Sequence, residues 1–258
     1  MLDFRNREEI PPLQSRIIQI VTALVIIGGW ELAAMNANPL LVPRPSSVAV
    51  AGWEMLLSGE LLRAFNQSFI SFGTGFLISL VFGIAIGVLM GVSKVIEKIL
   101  DPYVNALYAM PIIALIPFIM LWVGIGFEAK VIIVVLFAIF PIIISTAAGV
   151  KNVDKHYLDI GVAFCASRYS MFMKIVAPSA LPFVASGIRL AVGRGIIAMV
   201  VAEFLTAIAG LGGLIINYSN SFQTSKAFVP VIVLALMGIV LTYFVQVIEY
   251  KLEAWKRT

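Results

Sequence analysis

The chain has 258 residues, of which 61% are hydrophobic and 12% are charged, and its formal net charge is +4. A soluble globular domain is typically about 45–50% apolar and about 25% charged, so this composition excludes a soluble domain and indicates an integral membrane protein. The basic residues flank apolar segments, which argues against nucleic-acid binding, and a single cysteine excludes an intrachain disulfide.

Six apolar runs are long enough to cross a membrane, since a span needs roughly 20 mainly apolar residues. The runs do not alternate strictly in polarity, which favours helices over a β-barrel. The sequence therefore predicts an all-α integral membrane protein, a bundle of six transmembrane helices. The predicted spans lie near residues 17–35, 68–91, 104–124, 130–149, 185–205 and 228–249.

The first run follows a charged segment, residues 1–16. No small-residue cleavage site comes after the run, so we interpret it as a retained span and not as a signal peptide. If the N-terminus is inside, the cytoplasmic segments carry twelve Lys and Arg residues and the outside segments carry four. Because cytoplasmic connections are enriched in Lys and Arg, we expect both termini and the segment 150–184 to be cytoplasmic.

The connection between the first two spans opens with three prolines, which exclude a continuous helix there. From about Ser46 it is typical of an amphipathic helix lying along the membrane surface. Within span two, Gly83, Gly87 and Gly91 recur every fourth residue and line one face. Such a face favours close helix packing, inside the subunit or across a dimer, over a role in the substrate path.

Prolines interrupt the next two spans, with Pro111 and Pro117 in span three and Pro141 in span four. Each proline removes one backbone hydrogen bond and weakens the helix locally. Such kinks suit a pore-lining helix that must move, but they are also common in ordinary membrane bundles. Both interpretations stay open.

The polar segment 150–184 separates spans four and five. We predict a short helix over residues 157–169 with Asp159 in its first turn, where a carboxylate favours the positive helix end. We expect Pro178 and Pro182 to end any continuation of that helix. Small residues on the helix suit insertion into a partner's groove, although an amphipathic helix resting on lipid headgroups is the alternative. The basic residues that would serve that alternative are Lys151, Lys155, Arg168 and Lys174.

The charged residues Glu31, Arg189, Arg194 and Glu203 fall inside predicted spans. A charge there costs roughly 2.5–3.5 kcal/mol and needs a partner or water. Arg189 lies near the cytoplasmic end, where it can reach the headgroups or bind lipid phosphate. Arg194 is deeper, Glu203 can pair with a basic group on a neighbouring helix or a docked partner, and Glu31 is interpreted as an interfacial anchor. The connection 206–227, with its glycines and polar residues, is predicted to be turn-rich and solvent-facing.

No catalytic or metal-binding motif is present. His156 has no carboxylate or cysteine cluster around it in the sequence, and Cys165 has no nearby base. The patterns HExxH, GxSxG and GxxxxGK[ST] do not occur. We therefore predict a protein that is not an enzyme, binds no metal and lacks a phosphate-cradling loop of its own.

Residues 159–178 resemble the coupling motif of permease subunits of binding-protein-dependent ABC importers, which is EAA, three residues, G, nine residues and I-x-L-P. Two residues, Ile175 and Pro178, match outright. The register is intact, with substitutions at Asp159, Ile160, Gly161, Cys165 and Ala177. The stretches LLVPRPSSV, LDPYVNALYAMPIIALIPFIMLWVGIG and SALPFVASGIRLAVGRGIIAMVVAEF are similar to the branch that imports sulfonates, taurine and nitrate.

The resemblance implies a single permease domain over residues 17–258, with a cytoplasmic coupling helix between spans four and five. It also implies a bacterial inner-membrane importer in which two permease subunits, expected to be a homodimer, meet two ATPase subunits and an extracytoplasmic solute-binding protein. ATP and Mg would be bound by the ATPase. The residues expected to meet the ATPase are Asp159, Gly161, Ala163, Cys165, Ala166, Arg168, Ile175 and Pro178.

For the translocation path we hypothesise a weak anion preference based on Arg194. The residues expected to accompany it are Asn105, Tyr108, Ser145, Thr146 and Glu203. The alternative is that Arg194 only locks span five to a neighbouring helix. An ion-coupled secondary transporter or a channel subunit is the alternative function, but such transporters typically place acidic or histidine relays near the bilayer middle and show inverted repeats, and neither is clear here.

Overall fold

A computed structural model describes residues 12–206 and 209–253, and this part of the chain is entirely helical, without a β-strand. The α-helices are α1 Pro12–Met35, α2 Pro45–Leu57, α3 Glu60–Val92, α4 Lys94–Ala109, α5 Ile116–Val123, α6 Phe127–Lys151, α7 Lys155–Ala163, α8 Arg168–Met171, α9 Ala177–Thr206, α10 Leu211–Asn220 and α11 Thr224–Glu253. A 3₁₀-helix, Ile112–Leu115, precedes α5, and a π-turn, Phe172–Val176, joins α8 to α9. Most of the predicted N-terminal segment 1–16 lies outside the described residues.

The described residues contain four to six helices that could span a membrane. Four single helices are long and apolar enough to cross a membrane, and they lie within α1, α3, α6 and α11. Two more are bent pairs, α4 with Ile112–Val123, and Arg168–Thr206 with α10. The all-helical prediction is confirmed. Within the predicted span over 104–124 the chain turns by 84°, so the helix is broken there.

The three prolines of spans three and four have different effects. Pro111 lies at the sharp turn between α4 and the 3₁₀-helix. Pro117 lies in the first turn of α5. A backbone N–H in that turn has no intrahelical acceptor, so a proline there removes no helical hydrogen bond. Pro141 is inside α6, which continues without interruption from Phe127 to Lys151.

Helix α6 is the centre of the bundle and packs against α3 on one side and α9 on the other. The glycine face of α3 meets α6: a Cβ atom added at Gly83, Gly87 or Gly91 would lie 2.9, 2.6 or 2.4 Å from a side-chain atom of α6. The prediction of close helix packing is therefore confirmed, and the packing is inside the subunit. On the other side, Gly187 of α9 lies against Ser145.

Of the two connections that were predicted to lie outside, one differs from its predicted structure. The first contains α2, whose residues Val48, Ala51 and Met55 are buried in a cluster with α3 and α11. The second was expected to be turn-rich and solvent-facing, and this is wrong, because it forms α10 with a buried first turn. Composition misled here, since the glycines serve close packing of that turn and not chain reversal.

Candidate functional site

The segment 150–184 begins with α7, which is capped by Asp154. The Asp154 carboxylate accepts a hydrogen bond from the His156 N–H at 2.9 Å. The prediction that Asp159 lies in the first helical turn is wrong, because α7 begins at Lys155, two residues earlier than expected. Asp159 is therefore free of the capping role and is exposed.

Helix α7 ends in a left-handed turn at Cys165, whose φ is 51°. The N–H of Ala166 donates to the carbonyl of Gly161 and the N–H of Cys165 donates to that of Val162, both at 2.9 Å. This pair of hydrogen bonds defines a Schellman motif, in which glycine is the usual left-handed residue. The structure thus gives a backbone reason for the glycine that the coupling motif has at this position.

The predicted ATPase-facing residues of the segment fall into three groups by exposure. Asp159, Ala163, Cys165 and Arg168 are exposed, whereas Ala166, Ile175 and Pro178 are half-buried. Gly161 is buried and faces its own chain, because an added Cβ would lie 2.9 Å from Ile175 Cδ1 and 3.1 Å from Met171 Cε.

Sequence reasoning missed an exposed apolar surface on this segment. Phe164 is 83% exposed and Tyr169 is 75% exposed. Both residues lie at least ten positions away from the nearest predicted span. Tyr157, Ile160 and Val162 are exposed on the same short helix or its end. The available signal was the presence of aromatic and aliphatic residues within an otherwise polar segment.

The chain does not end its helix at Pro178 and Pro182, contrary to prediction. Helix α9 contains Pro182, and the helical path is continuous from Arg168 through the π-turn to Thr206. In the π-turn the N–H of Ala177 donates to the carbonyl of Phe172, five residues back. A turn of this width relaxes the usual i to i−4 ladder just before Pro178, which has no N–H to contribute.

In the middle of α9, Arg194 lies over the ring of Tyr108, with its guanidinium carbon 4.3 Å from the ring centroid. Asn105 is one turn before Tyr108 on α4 and is exposed, so the two share a helix face. Arg189, by contrast, forms an ion pair with Glu249 of α11 and not the lipid contact expected from the sequence. Among the described residues Arg194 has no carboxylate partner.

Ser145 and Thr146 are not joined to Arg194 by any hydrogen bond in the described part of the chain. Ser145 packs against Gly187, and Thr146 is fully buried against Gly87. Both therefore contribute to the faces by which α6 packs on its neighbours. The structure brings together Arg194 and Tyr108, places Asn105 one turn before Tyr108 on α4, and leaves Ser145 and Thr146 in the packing interfaces.

At the far end of α9, the Glu203 carboxylate is fully buried and is surrounded by donors. The Ser68 hydroxyl donates to its two oxygens at 2.8 and 2.9 Å, and the Gly212 N–H donates to Oε2 at 2.9 Å. The Lys130 ammonium lies 3.4 Å from Oε1 and donates to the Ala209 carbonyl at 3.0 Å. The predicted pairing of Glu203 with a basic group on a neighbouring helix is confirmed.

Two glycines allow α10 to approach this carboxylate. Gly210 has a φ of 95°, and a Cβ added there would lie 1.9 Å from Glu203 Oε1. A Cβ added at Gly212 would lie 2.7 Å from the Glu203 Cβ. Glu203 is therefore held by groups of its own chain. The signal in the sequence was the combination of a lysine at the start of one predicted span with a glycine run after the glutamate.

No group of three or more His, Cys, Asp or Glu side chains in the described ranges is arranged to hold a metal ion. Glu31, expected as an interfacial anchor, instead accepts hydrogen bonds from the Ser46 N–H and hydroxyl at 3.0 and 2.8 Å. It thereby satisfies a free N–H in the first turn of α2.

Residues 79–258 match the family model described as binding-protein-dependent transport system inner membrane component. The chain is 32% identical to the aliphatic sulfonates transport permease protein SsuC of Bacillus subtilis (strain 168), over 93% of this chain and 85% of that protein. It is also 32% identical to SsuC of Escherichia coli (strain K12), over 89% and 88% of the two chains.

A third relative is the formylaminopyrimidine transport permease protein ThiX of Halalkalibacterium halodurans, 29% identical over 91% of this chain and 94% of that protein. Among solved structures, the chain is similar to the MetNI methionine ABC transporter in inward facing conformations. The TM-score is 0.58 at 18% identity, with 81% of this chain and 98% of that chain covered. This likeness shows the fold alone.

Proposed function

The chain belongs to the family of inner membrane components of binding-protein-dependent transport systems, and from this premise we propose that it carries a small anion such as a sulfonate, taurine or nitrate. It is an ABC importer permease. The solute class is supported by two relatives named for aliphatic sulfonates, each covering most of the chain. The relative named for formylaminopyrimidine makes a direct test of the solute necessary.

The observation that carries the anion proposal is the unpaired charge of Arg194. The other three cations of α6 and α9 are Lys130, Lys151 and Arg189, and each has a carboxylate partner among the described residues. Arg194 has only the π-face of Tyr108 among the described residues, and this contact stabilises a cation without neutralising it. A half-buried arginine with an uncompensated charge attracts an anion.

An uptake assay in proteoliposomes tests this role. We expect Arg194→Met to lower the uptake of an aliphatic sulfonate by about tenfold or more, the effect of losing one charged contact, while the complex still assembles. Tyr108→Phe is the matched control, because it keeps the aromatic ring under the guanidinium. Normal sulfonate uptake by Arg194→Met would contradict the proposal.

We propose that the segment 150–184 docks a separate ATPase, which binds and hydrolyses ATP with Mg. The exposed apolar surface formed by Phe164, Tyr169 and the outer face of α7 supports this, because aromatic residues anchor protein interfaces. The importer would then comprise two copies of this chain, two ATPases and an extracytoplasmic binding protein. Each copy would contribute six spans in one permease domain, residues 17–258, with both termini in the cytoplasm.

Phe164→Asp tests the docking surface. Burying a carboxylate at an interface is unfavourable, so we expect this variant to lose ATPase binding in co-purification and ATP-driven uptake. The matched control is Phe222→Asp, a similarly exposed phenylalanine in the turn between α10 and α11. Ala163→Glu is a second probe and is cleaner than a change at Gly161, whose Cβ would meet its own chain. Retained ATPase binding by Phe164→Asp and Ala163→Glu would show that the surface is misplaced.

A further inference from the structure

A cavity of about 300 Å³ lies beside the Lys130–Glu203 ion pair, between α3, the α5–α6 connection and the end of α9. Its volume is at the lower end of the range for small-molecule sites, about 300–1,000 Å³. The residues that matter for its chemistry are Gln67, Ile70, Ile125, Phe127, Lys130 and Thr206.

Lys130 provides the charged donor of the cavity. An ammonium group has three N–H donors, and two of them point to Glu203 Oε1 at 3.4 Å and to the Ala209 carbonyl at 3.0 Å. The third has no acceptor among the described residues. The contact with Glu203 is longer than the about 2.7–2.9 Å of a strong charge-assisted hydrogen bond, so the ammonium retains the capacity to bind a second acceptor.

The hydroxyl protons at the cavity are already committed. Thr206 donates to the Glu203 carbonyl at 3.2 Å, and Ser71 donates to the carbonyls of Gln67 and Ser68. The Gln67 side-chain oxygen accepts from the Gly210 N–H at 3.1 Å, which leaves its NH₂ group as a donor. The protons that remain for a ligand are therefore those of Lys130 and Gln67, and a cationic head would face an ammonium group.

The rest of the cavity is apolar. Ile70, Ile125 and Phe127 line it, and their side chains offer dispersion contacts but no hydrogen bonds. A molecule that fills the cavity therefore gains from an apolar body as well as from an accepting head. An inorganic anion alone would satisfy Lys130 and leave this apolar surface uncovered.

We propose that this cavity binds a small solute with an anionic head and an apolar body. The head lies against Lys130 and Gln67, and the body lies against Ile125 and Phe127. This cavity does not include Arg194, so the inference adds a second place for the anion to the one proposed there, and it rests on the proposed function for the statement that the bound molecule is the transported one.

Calorimetric titration of the full-length chain in lipid nanodiscs tests the cavity with three probes. We expect butane-1-sulfonate to bind. Sulfate, which lacks the apolar body, and butylammonium, which carries the opposite charge, should bind at least about tenfold more weakly. Equal binding of butylammonium and butane-1-sulfonate would overturn the proposal.

Two tryptophan variants identify the place of binding. Ile125→Trp fills the cavity, whereas Ile113→Trp changes the same residue type at similar exposure outside it. We expect butane-1-sulfonate to bind about tenfold more weakly to Ile125→Trp and normally to Ile113→Trp. Lys130→Met is less suitable as the main test, because it also removes the partner of buried Glu203. Undiminished binding by Ile125→Trp would overturn the assignment.

ATP-driven uptake by the reconstituted importer separates this inference from the proposed function. If the wild-type chain supports sulfonate uptake and Ile125→Trp binds and transports normally, the cavity is misassigned and the import function stands. If butane-1-sulfonate binds at the cavity but no anionic solute is taken up, the binding site stands and the proposed solute class is wrong.

Discussion

The two ends of α9 both pack glycine against the chain, but they differ in what the glycine meets. At the α10 end, Gly210 and Gly212 lie against the buried carboxylate of Glu203, which is held by hydrogen bonds and an ion pair. Ahead of the other end, Gly161 of α7 lies against the terminal atoms of Met171 in α8 and Ile175 in the π-turn, the segment that leads into α9. A terminal methyl group can move by rotation about its own side-chain bonds, whereas a buried carboxylate with satisfied donors cannot.

We infer from this difference that the α10 end of α9 is held more firmly than the segment leading into its other end. A helix with one fixed end and one compliant end can accept a displacement at the compliant end while the fixed end keeps its position in the bundle. In the proposed importer, the compliant end is the one that carries the surface for the ATPase. The following four predictions test the contrast, beginning with the largest effect.

The fixed end depends most on Lys130. We expect Lys130→Met to lower the free energy of unfolding by about 3–5 kcal/mol, because it leaves Glu203 buried without a countercharge. The measurement is thermal or denaturant unfolding of the purified chain in detergent. The double variant Lys130→Met with Glu203→Gln is the control and should recover part of the loss, since no charge is then left unpaired. A wild-type stability for Lys130→Met would show that the ion pair does not hold this end.

Gly210→Ala is the next test of the fixed end. Its Cβ would meet Glu203 Oε1 at 1.9 Å, and the φ of 95° is unfavourable for alanine. We expect a loss of about 1–3 kcal/mol in the free energy of unfolding, typical of overpacking. Gly193→Ala on α9 is the matched control, because no atom lies within 4 Å of its added Cβ, and it should be neutral or stabilising.

At the compliant end, Gly161→Ala should change the free energy of unfolding by less than about 1 kcal/mol. The contacts at 2.9 and 3.1 Å involve only the ends of Ile175 and Met171, and alanine gains about 0.8–1.0 kcal/mol in helix propensity over glycine. The same unfolding assay measures this. A loss as large as that of Gly210→Ala would show that both ends of α9 are equally rigid.

The smallest expected effect is a gain. Cys165 adopts a φ of 51° at the end of α7, a conformation that costs a non-glycine residue roughly 1–2 kcal/mol. Glycine there should raise the unfolding free energy by about 0.5–1 kcal/mol, less than the relieved strain because glycine loses more backbone entropy on folding. Cys165→Ala is the control and should give no gain. A destabilised Cys165→Gly variant would show that the thiol makes a needed contact.

Features of the fold that depend on a single helix could be predicted from the sequence pattern alone. Runs of apolar residues predicted the long helices α1, α3, α6 and α11, and the glycine spacing of α3 predicted a face for close packing, because both signals are local. The 84° turn at Pro111 was not predictable, since a proline inside an apolar run is compatible with a kink, a helix start or an uninterrupted helix. Pro117 and Pro141 show the other two outcomes.

The functional residues were predicted less evenly, for a physical reason. Arg194 stood out because a charge inside an apolar run is costly, and its contact with Tyr108 was among those anticipated. Lys130 was missed as the partner of Glu203, because it is the first residue of the predicted span 130–149, where a lysine can reach water and needs no buried partner. The partners of a buried charge are set by tertiary packing, and here they come from three other helices, two of which are 135 and 73 residues away along the chain.

The distance along the chain between Lys130 and Glu203 has a consequence for synthesis. The two residues are 73 positions apart, whereas Glu31 and the backbone of Ser46 are only 15 apart. At about 5–20 residues per second, the ribosome needs roughly 4–15 s to add the partner of Lys130. During that interval Lys130 has no Glu203 to pair with, so the ion pair that joins α6 to α9 can form only after α9 has been synthesised.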